Sequence, residues 1–178
     1  MVEQVSKQLN IARQPVFNRD MDVYAYELLY RSEESTEKNR AFLENERKDD
    51  EFATLKVIAN SQLMGLEKVL SGRMAFINFA RQSLVKKIPT FFPSDSVGIE
   101  ILETVGSDPE LMKACNEMKE LGYTIILDDF IPGSDANNLL EIADIVKIDL
   151  LASSESDIQK SVHFREQYDF KLLAEKVE

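Results

Sequence analysis

One cysteine and one histidine occur in 178 residues. Cys115 alone excludes an internal disulfide and any thiolate metal cluster, and its helical surroundings read as core packing. His163 stands in a charged helical stretch, which argues against zinc held by imidazoles and against a histidine general base. Long apolar runs are absent too, since none approaches the ~20 residues a membrane-spanning helix needs. The leader "MVEQVSKQLN", with residues 1–8 a polar lead-in, lacks the apolar centre of a signal peptide. A cytoplasmic location is expected. Basic residues are outnumbered, 21 Lys and Arg against 32 Asp and Glu, giving a formal net charge of −11. That balance disfavours nucleic acid and anionic membranes, so neither direct DNA binding nor a membrane segment is expected. A phosphate substrate stays open, because divalent ions gathered by carboxylates make a site locally positive. The chemistry left to the chain uses carboxylates, amides and lysine.

What is present fits one globular domain over residues 1–178, 44% hydrophobic and 30% charged. Short β-type runs alternate with amphipathic helical stretches, the pattern of a parallel sheet built from βα units. The start differs. "NIARQPVF" and "DVYAYELLY" are separated only by "NRDM", too short for a crossover helix, so an antiparallel hairpin is predicted. Next come a charged loop, "SEESTEKNRAFLENERKDD", and a helix over about 50 to 70. Further strands are predicted at "MAFINF", "VGIEIL", "TIILDDF", "DIVKIDL" and "KLLAEKV". Helices are predicted near "RQSLVKKI", "DPELMKACNEMKELG", "NNLLEIA" and "ESDIQKSVHFREQY". "SDPE" reads as a capping box, with Ser107 as N-cap and Glu110 three residues on, and Gly122 as the stop. Seven strands result, one short of a closed eight-stranded barrel, so the fold class is an α/β, TIM-like barrel with an antiparallel first strand and no eighth. The chain is expected to be a fragment of a longer one.

Polar residues sit at or near the C-terminal ends of these strands: Glu27, Asn78, Glu100, Asp128 with Asp129, Lys147 and Glu175. In a parallel βα barrel those ends converge on the face where active sites lie. Any one of them reads as a solvated loop residue or a helix cap. Five carboxylates on one rim do not, because like charges disfavour each other's ionised form, and divalent cations remove that penalty. Oxygen ligands without histidine or cysteine suit magnesium or manganese, and this many carboxylates could hold two ions, an arrangement that drives in-line attack of water on a phosphodiester. Lys147 could position that water or neutralise phosphate charge; a buried salt bridge to Asp128 or Asp149 is its structural alternative. Glu100 and Glu103 are three apart and point to opposite faces of a regular strand, which makes Glu100 the ligand and Glu103 a loop anchor. Asp128 and Asp129, being adjacent, cannot play equal roles unless the strand breaks, and "IPGSD" follows them.

These residues resemble the EAL domain, the bacterial family that opens cyclic di-GMP to the linear dinucleotide pGpG. The likeness runs over nearly the whole chain. "ELL" at Glu27 to Leu29 stands where the name-giving Glu-Ala-Leu occurs, Gln14 matches the glutamine of the first strand, and Arg31 the arginine that contacts substrate phosphate. "FINFA" is similar to the strand that supplies the asparagine ligand, Asn78. "EILE" is similar to Glu-Leu-Thr-Glu, "ILDDF" to the aspartate pair, "VKID" to the lysine strand and "AEKVE" to the Ala-Glu-Gly-Val-Glu that gives Glu175. The resemblance implies metal ligands at Glu27, Asn78, Glu100, Asp128 and Asp129, catalytic roles for Lys147, Glu27, Asp129 and Glu175, substrate contacts from Gln14 and Arg31, and an anchoring role for Glu103. It further implies Mg2+ or Mn2+, cyclic di-GMP as ligand, and, from "IARQPVF", "YELLYR" and "FINFA", a C-terminal HDOD domain in the full-length chain.

The departures are specific. Where the family continues Gly-Thr-Gly-Tyr-Ser after the aspartates, this chain reads "IPGSDAN". Ala80 replaces a serine, Ser32 a tryptophan, and the family's strand-eight glutamine lies beyond Glu178. A hydrolase of cyclic di-GMP therefore competes with a catalytically silent module that binds cyclic di-GMP or a protein partner and regulates an attached domain. A barrel of unrelated function with solvated acidic ends is the third alternative. An incomplete barrel exposes two strand edges, which leaves pairing into a homodimer open.

Overall fold

The computed structural model describes residues 11–30, 70–102 and 108–177. The polar leader, the charged segment from Arg31 and nearly all of the helix predicted over 50 to 70 lie outside them. Seven strands form one sheet in sequence order: β1 (Ile11–Phe17), β2 (Val23–Tyr30), β3 (Met74–Asn78), β4 (Val97–Ile101), β5 (Thr124–Leu127), β6 (Ile145–Asp149) and β7 (Lys171–Glu175). β1 and β2 pair antiparallel, and every later pair is parallel. The hairpin closes through Asn18, whose side-chain oxygen accepts from the Asp20 and Asp22 amides at 2.9 Å each, while Met21 takes a left-handed φ of 64°. With no room for a crossover helix in this connection, antiparallel pairing is the arrangement that the chain can reach.

Alternation along the strands separates two faces. One face carries Ala75, Ile77, Val97, Ile99, Ile101, Ile125, Leu127 and Val146, all buried in the larger core. Helix α2 (Pro109–Glu120) packs there through Leu111, Cys115 and Met118. The other face holds a smaller cluster of Val16, Ala25, Phe76, Ile126 and Ile145. Gly98 belongs to this inner face. A Cβ there would lie 2.8 Å from the Ile126 side chain and 3.0 Å from Phe76, so the glycine lets those two residues close the floor.

Helix boundaries depart from the sequence reading in three places. α2 begins one residue later than the Ser107 cap implied. Asp108 is the N-cap, its Oδ1 accepting from the amides of Glu110 (3.0 Å) and Leu111 (3.1 Å). Pro109 explains the shift: its fixed φ and missing N–H suit the first helical position, so the residue before it takes the cap. The helix ends as expected, with Gly122 at φ 88° and paired bonds from Gly122 N–H to the Lys119 carbonyl and from Tyr123 N–H to that of Met118. "RQSLVKKI" yields only α1 (Arg81–Val85), then a 3-10 turn at Ile88–Phe91. The break falls at Lys87, which takes a left-handed φ of 57°. "NNLLEIA" forms a 3-10 turn, Asp135–Leu139, rather than an α-helix. Its backbone bonds close three residues apart, from Asn137 N–H to the Ser134 carbonyl, from Leu140 N–H to that of Asn137 and from Ile142 N–H to that of Leu139. α3 (Glu155–Gln167) starts at Ser154, whose hydroxyl accepts from the Asp157 amide. Among the described residues no helix is long and apolar enough to cross a membrane.

Candidate functional site

On the inner face each strand changes character along its length. Phe76 gives way to Asn78 on β3, Gly98 to Glu100 on β4, Ile145 to Lys147 on β6 and Leu173 to Glu175 on β7. Glu27 sits two residues beyond buried Ala25 on β2. The parallel register puts Asn78 beside Glu100 and Glu100 beside Ile126, two residues before Asp128. Residues scattered over the chain thus meet at one end of the sheet.

Lys147 stands at the centre. It is 1% exposed, and its Nζ lies 2.7 Å from Asp128 Oδ1, 2.8 Å from Glu100 Oε1, 2.8 Å from Glu175 Oε1 and 3.5 Å from Glu27 Oε2. An ammonium has three N–H donors, so three carboxylates take the short contacts and Glu27 is left at longer range. Burial alone would lower the lysine pKa. The charges of Glu100, Asp128 and Glu27 outweigh it and hold the pKa well above the ordinary lysine value. Of the two structural alternatives for Lys147, the salt bridge goes to Asp128 and not to Asp149, which pairs with Lys176 instead.

One ammonium cannot neutralise four carboxylates. Burial, only partly offset by Lys147, pushes the Glu100 carboxyl up to about 8, with Glu27 and Asp128 adding to the rise. Burial likewise raises Glu27, again against the pull of Lys147. Glu100 Oε2 is buried and has no hydrogen-bond partner among the described residues. A buried carboxylate oxygen without a donor is costly, and its chemistry is that of a ligand for a hard cation.

Beyond Leu127 the strand breaks at the aspartate pair itself, one step before "IPGSD". Asp129 adopts a left-handed φ of 43°, its amide donates to Asp128 Oδ1 at 3.1 Å, and the Phe130 amide donates to the Lys147 carbonyl at 3.1 Å. The break turns both carboxylates toward β7. Oxygens of Asp128, Asp129 and Glu175 lie within 4.8 Å of one another, a separation that ligands on a single cation with bonds of ~2.1–2.4 Å can span. The donor set therefore fits a hard divalent ion.

Gln14 is exposed and lies opposite Glu27 in the hairpin register. Arg31, Glu103 and Ser32 fall outside the described residues. Two features escaped the sequence reading. Lys176 donates to Asp149 Oδ2, while Asp149 Oδ1 accepts from the Leu151 and Ala152 amides. Arg81 forks onto Asp108 at 2.6 and 2.9 Å and reaches Glu110 at 2.7 Å, tying the segment after β3 to the start of α2. The lysine directly after Glu175 was readable as a cation beside the rim; the Arg81 contact spans 27 residues and leaves no periodic signal. A cleft of about 800 Å3 opens at the opposite, N-terminal ends of the strands, among Tyr24, Thr124, Asp144, Arg165, Asp169 and Lys171. It is separate from the acidic rim.

Solved structures share this fold. The chain superposes on the MucR phosphodiesterase in complex with c-di-GMP with a TM-score of 0.73 at 19% identity, covering 97% of this chain and 86% of that one. The YkuI protein of Bacillus subtilis, which has an EAL domain and is in complex with substrate c-di-GMP and calcium, gives 0.70 at 19%, over 94% of this chain and 48% of that one. The chain has the fold of these EAL-domain structures. BlrP1 of Klebsiella pneumoniae, in a manganese and c-di-GMP complex, gives 0.68 at 20%, covering all of this chain and 52% of that one. No family model matches the chain. In sequence the chain is 37% identical over 174 residues to the uncharacterised YuxH of Bacillus subtilis, 94% of this chain and 41% of that protein. It is 36% identical over 143 residues to the cyclic di-GMP phosphodiesterase CdgJ of Vibrio cholerae, 80% of this chain and 32% of that protein. The chain spans less than half the length of both curated relatives.

Proposed function

We propose that this chain is a metal-dependent phosphodiesterase domain that hydrolyses cyclic di-GMP to linear pGpG in second-messenger signalling. The observation that carries the proposal is the buried ring of Glu27, Glu100, Asp128 and Glu175 around Lys147, with one Glu100 oxygen left without a donor. Likeness to a cyclic di-GMP phosphodiesterase and to neighbours solved with c-di-GMP and manganese or calcium supports the substrate and the ion class. In this reading Glu27, Asn78, Glu100, Asp128 and Asp129 hold Mg2+ or Mn2+, with two ions expected from the number of carboxylates. Such ions supply an activated water and screening of phosphate charge. Lys147 keeps the carboxylates converged and presents positive charge toward a phosphate oxygen; Glu175, beside it, completes the ring on the β7 side. Gln14 and Arg31 contact substrate, and Glu103 anchors the loop after β4.

A second reading is a silent module that binds cyclic di-GMP or a protein. The segment after Asp129 favours it, because "IPGSDAN" folds into a tight turn at Gly133, φ 91°, and the short 3-10 turn. A cytoplasmic location, an HDOD domain in the whole protein and a homodimer accompany both readings as proposals. Incubation with cyclic di-GMP and Mg2+ or Mn2+, followed by separation of the nucleotides, decides between them. Linear dinucleotide from the parent and none from Glu27→Ala is expected. Binding without product would overturn the hydrolase reading in favour of the silent one.

A further inference from the structure

Lys176 follows Glu175 at the end of β7 with φ 53°, in the left-handed region that glycine adopts without strain. A lysine held there is fixed by something, and its partner is Asp149, at the end of β6. Asp149 is itself anchored. It is buried, pairs in register with Glu175, and its other oxygen accepts from the Leu151 amide at 2.8 Å and the Ala152 amide at 3.0 Å. Because Asp149 pairs in register with Glu175, whose carboxylate lies within 4.8 Å of those of Asp128 and Asp129, the ammonium that donates to Asp149 stands beside this side of the rim. Lys176 is thus a second cation at the rim. Lys147 is buried at the centre of the ring, whereas Lys176 is solvent-exposed and follows Glu175, whose carboxylate lies near those of Asp128 and Asp129.

We propose that Lys176 is a built-in cation for the Asp129–Glu175 side of the rim, supplying part of the neutralisation that a divalent ion would otherwise provide there. The inference rests on the reading of this rim as a cation site. An ammonium fixed close to that position repels an incoming dication and occupies Asp149, a carboxylate that could otherwise contribute. Cation binding on this side should therefore be weak in the natural sequence and strengthen when the charge is removed.

Mn2+ titrated into the metal-free protein by calorimetry, with the number of bound ions counted by electron paramagnetic resonance, tests this. The natural sequence is compared with Lys176→Met, Lys176→Gly and Lys176→Arg, each first checked for folding by thermal unfolding without metal. Lys176→Met removes the charge together with the hydrogen bond to Asp149, Lys176→Gly also relieves the backbone, and Lys176→Arg keeps the charge. We expect Lys176→Met and Lys176→Gly to bind Mn2+ about tenfold more tightly or to take up one more ion, and Lys176→Arg to match the natural sequence. Equal affinity and stoichiometry in all four would overturn this inference and leave the phosphodiesterase reading standing. Failure of all four to bind Mn2+ would overturn both.

Discussion

The two ends of the sheet's inner face are built from the same strands and have opposite chemistry. At the floor, Phe76, Ile126 and Ile145 pack against one another with Gly98 giving them room. Two residues further along, β3, β4 and β6 present Asn78, Glu100 and Lys147. The floor gains free energy from burial, about 1.5–3 kcal/mol for a large apolar side chain. The rim loses it, because carboxylates leave water for a single buried ammonium. The lesson is that the fold supports the rim; the rim does not hold the fold together unless further positive charge arrives.

The largest effect should come from removing the cation. Lys147→Met keeps the volume but leaves four carboxylates uncompensated, and breaking a buried pair of this kind costs roughly 3–5 kcal/mol. Urea unfolding without metal should show that loss, with partial recovery when Mn2+ is added. Phe76→Ala should cost a similar amount, about 3–5 kcal/mol, but here Mn2+ should restore little, because what is lost is packing. That contrast breaks the comparison if it fails: equal rescue of both variants would mean that floor and rim are not energetically distinct. A smaller effect is expected from Gly98→Ala, about 1 kcal/mol, since the nearest atom to the new Cβ is the mobile end of Ile126.

pH probes the rim and leaves the apolar floor untouched. The Glu100 carboxyl, ordinarily near 4.5, is held up to about 8 chiefly by burial. A folded-state value above the unfolded one means that the native state binds the extra proton, so the associated stability is complete below pH 4.5 and is lost as pH rises through 8. Metal-free protein should therefore unfold at lower urea at pH 8.5 than at pH 5, and Glu100→Gln should flatten that slope. Divalent ions should bind more tightly at the higher pH and release a proton, seen as a dependence of the calorimetric heat on buffer ionisation enthalpy.

The sequence alone was enough to place all seven strands and the hairpin, because period-two alternation and a four-residue connection leave few alternatives. Convergence of Glu27, Glu100, Asp128, Lys147 and Glu175 was legible for the same reason: strand ends in a parallel sheet share one face. Short helices were not. The "NNLLEIA" segment carries helix-forming residues and an apolar spacing that an α-helix also satisfies, so its tighter 3-10 bonding left no signal in the sequence. Nor could the sequence show how Lys147 divides three donors among four carboxylates, since side-chain distances depend on strand stagger. The Asp149–Lys176 pair was hidden because Asp149 looked like a partner for Lys147, two residues away on the same strand, whereas the nearer ammonium comes from the next strand.

The weakest effect expected separates charge from burial. Asp108, held below the usual carboxylate range first by its hydrogen bond to Arg81 and then by the Leu111 amide, makes a bidentate pair as well formed as any contact in the ring. It is solvent-accessible, with 40% of its side chain exposed, so water and salt screen the pair. A depressed folded-state pKa contributes stability above the ordinary aspartate value and loses it as pH falls through the lowered one, the reverse of Glu100. Asp108→Asn keeps an N-cap acceptor, so thermal unfolding at neutral pH should drop only slightly, and the difference should vanish in acid. A loss matching that of Lys147→Met would mean that the number of ion pairs, not their removal from water, sets the energetics of this face.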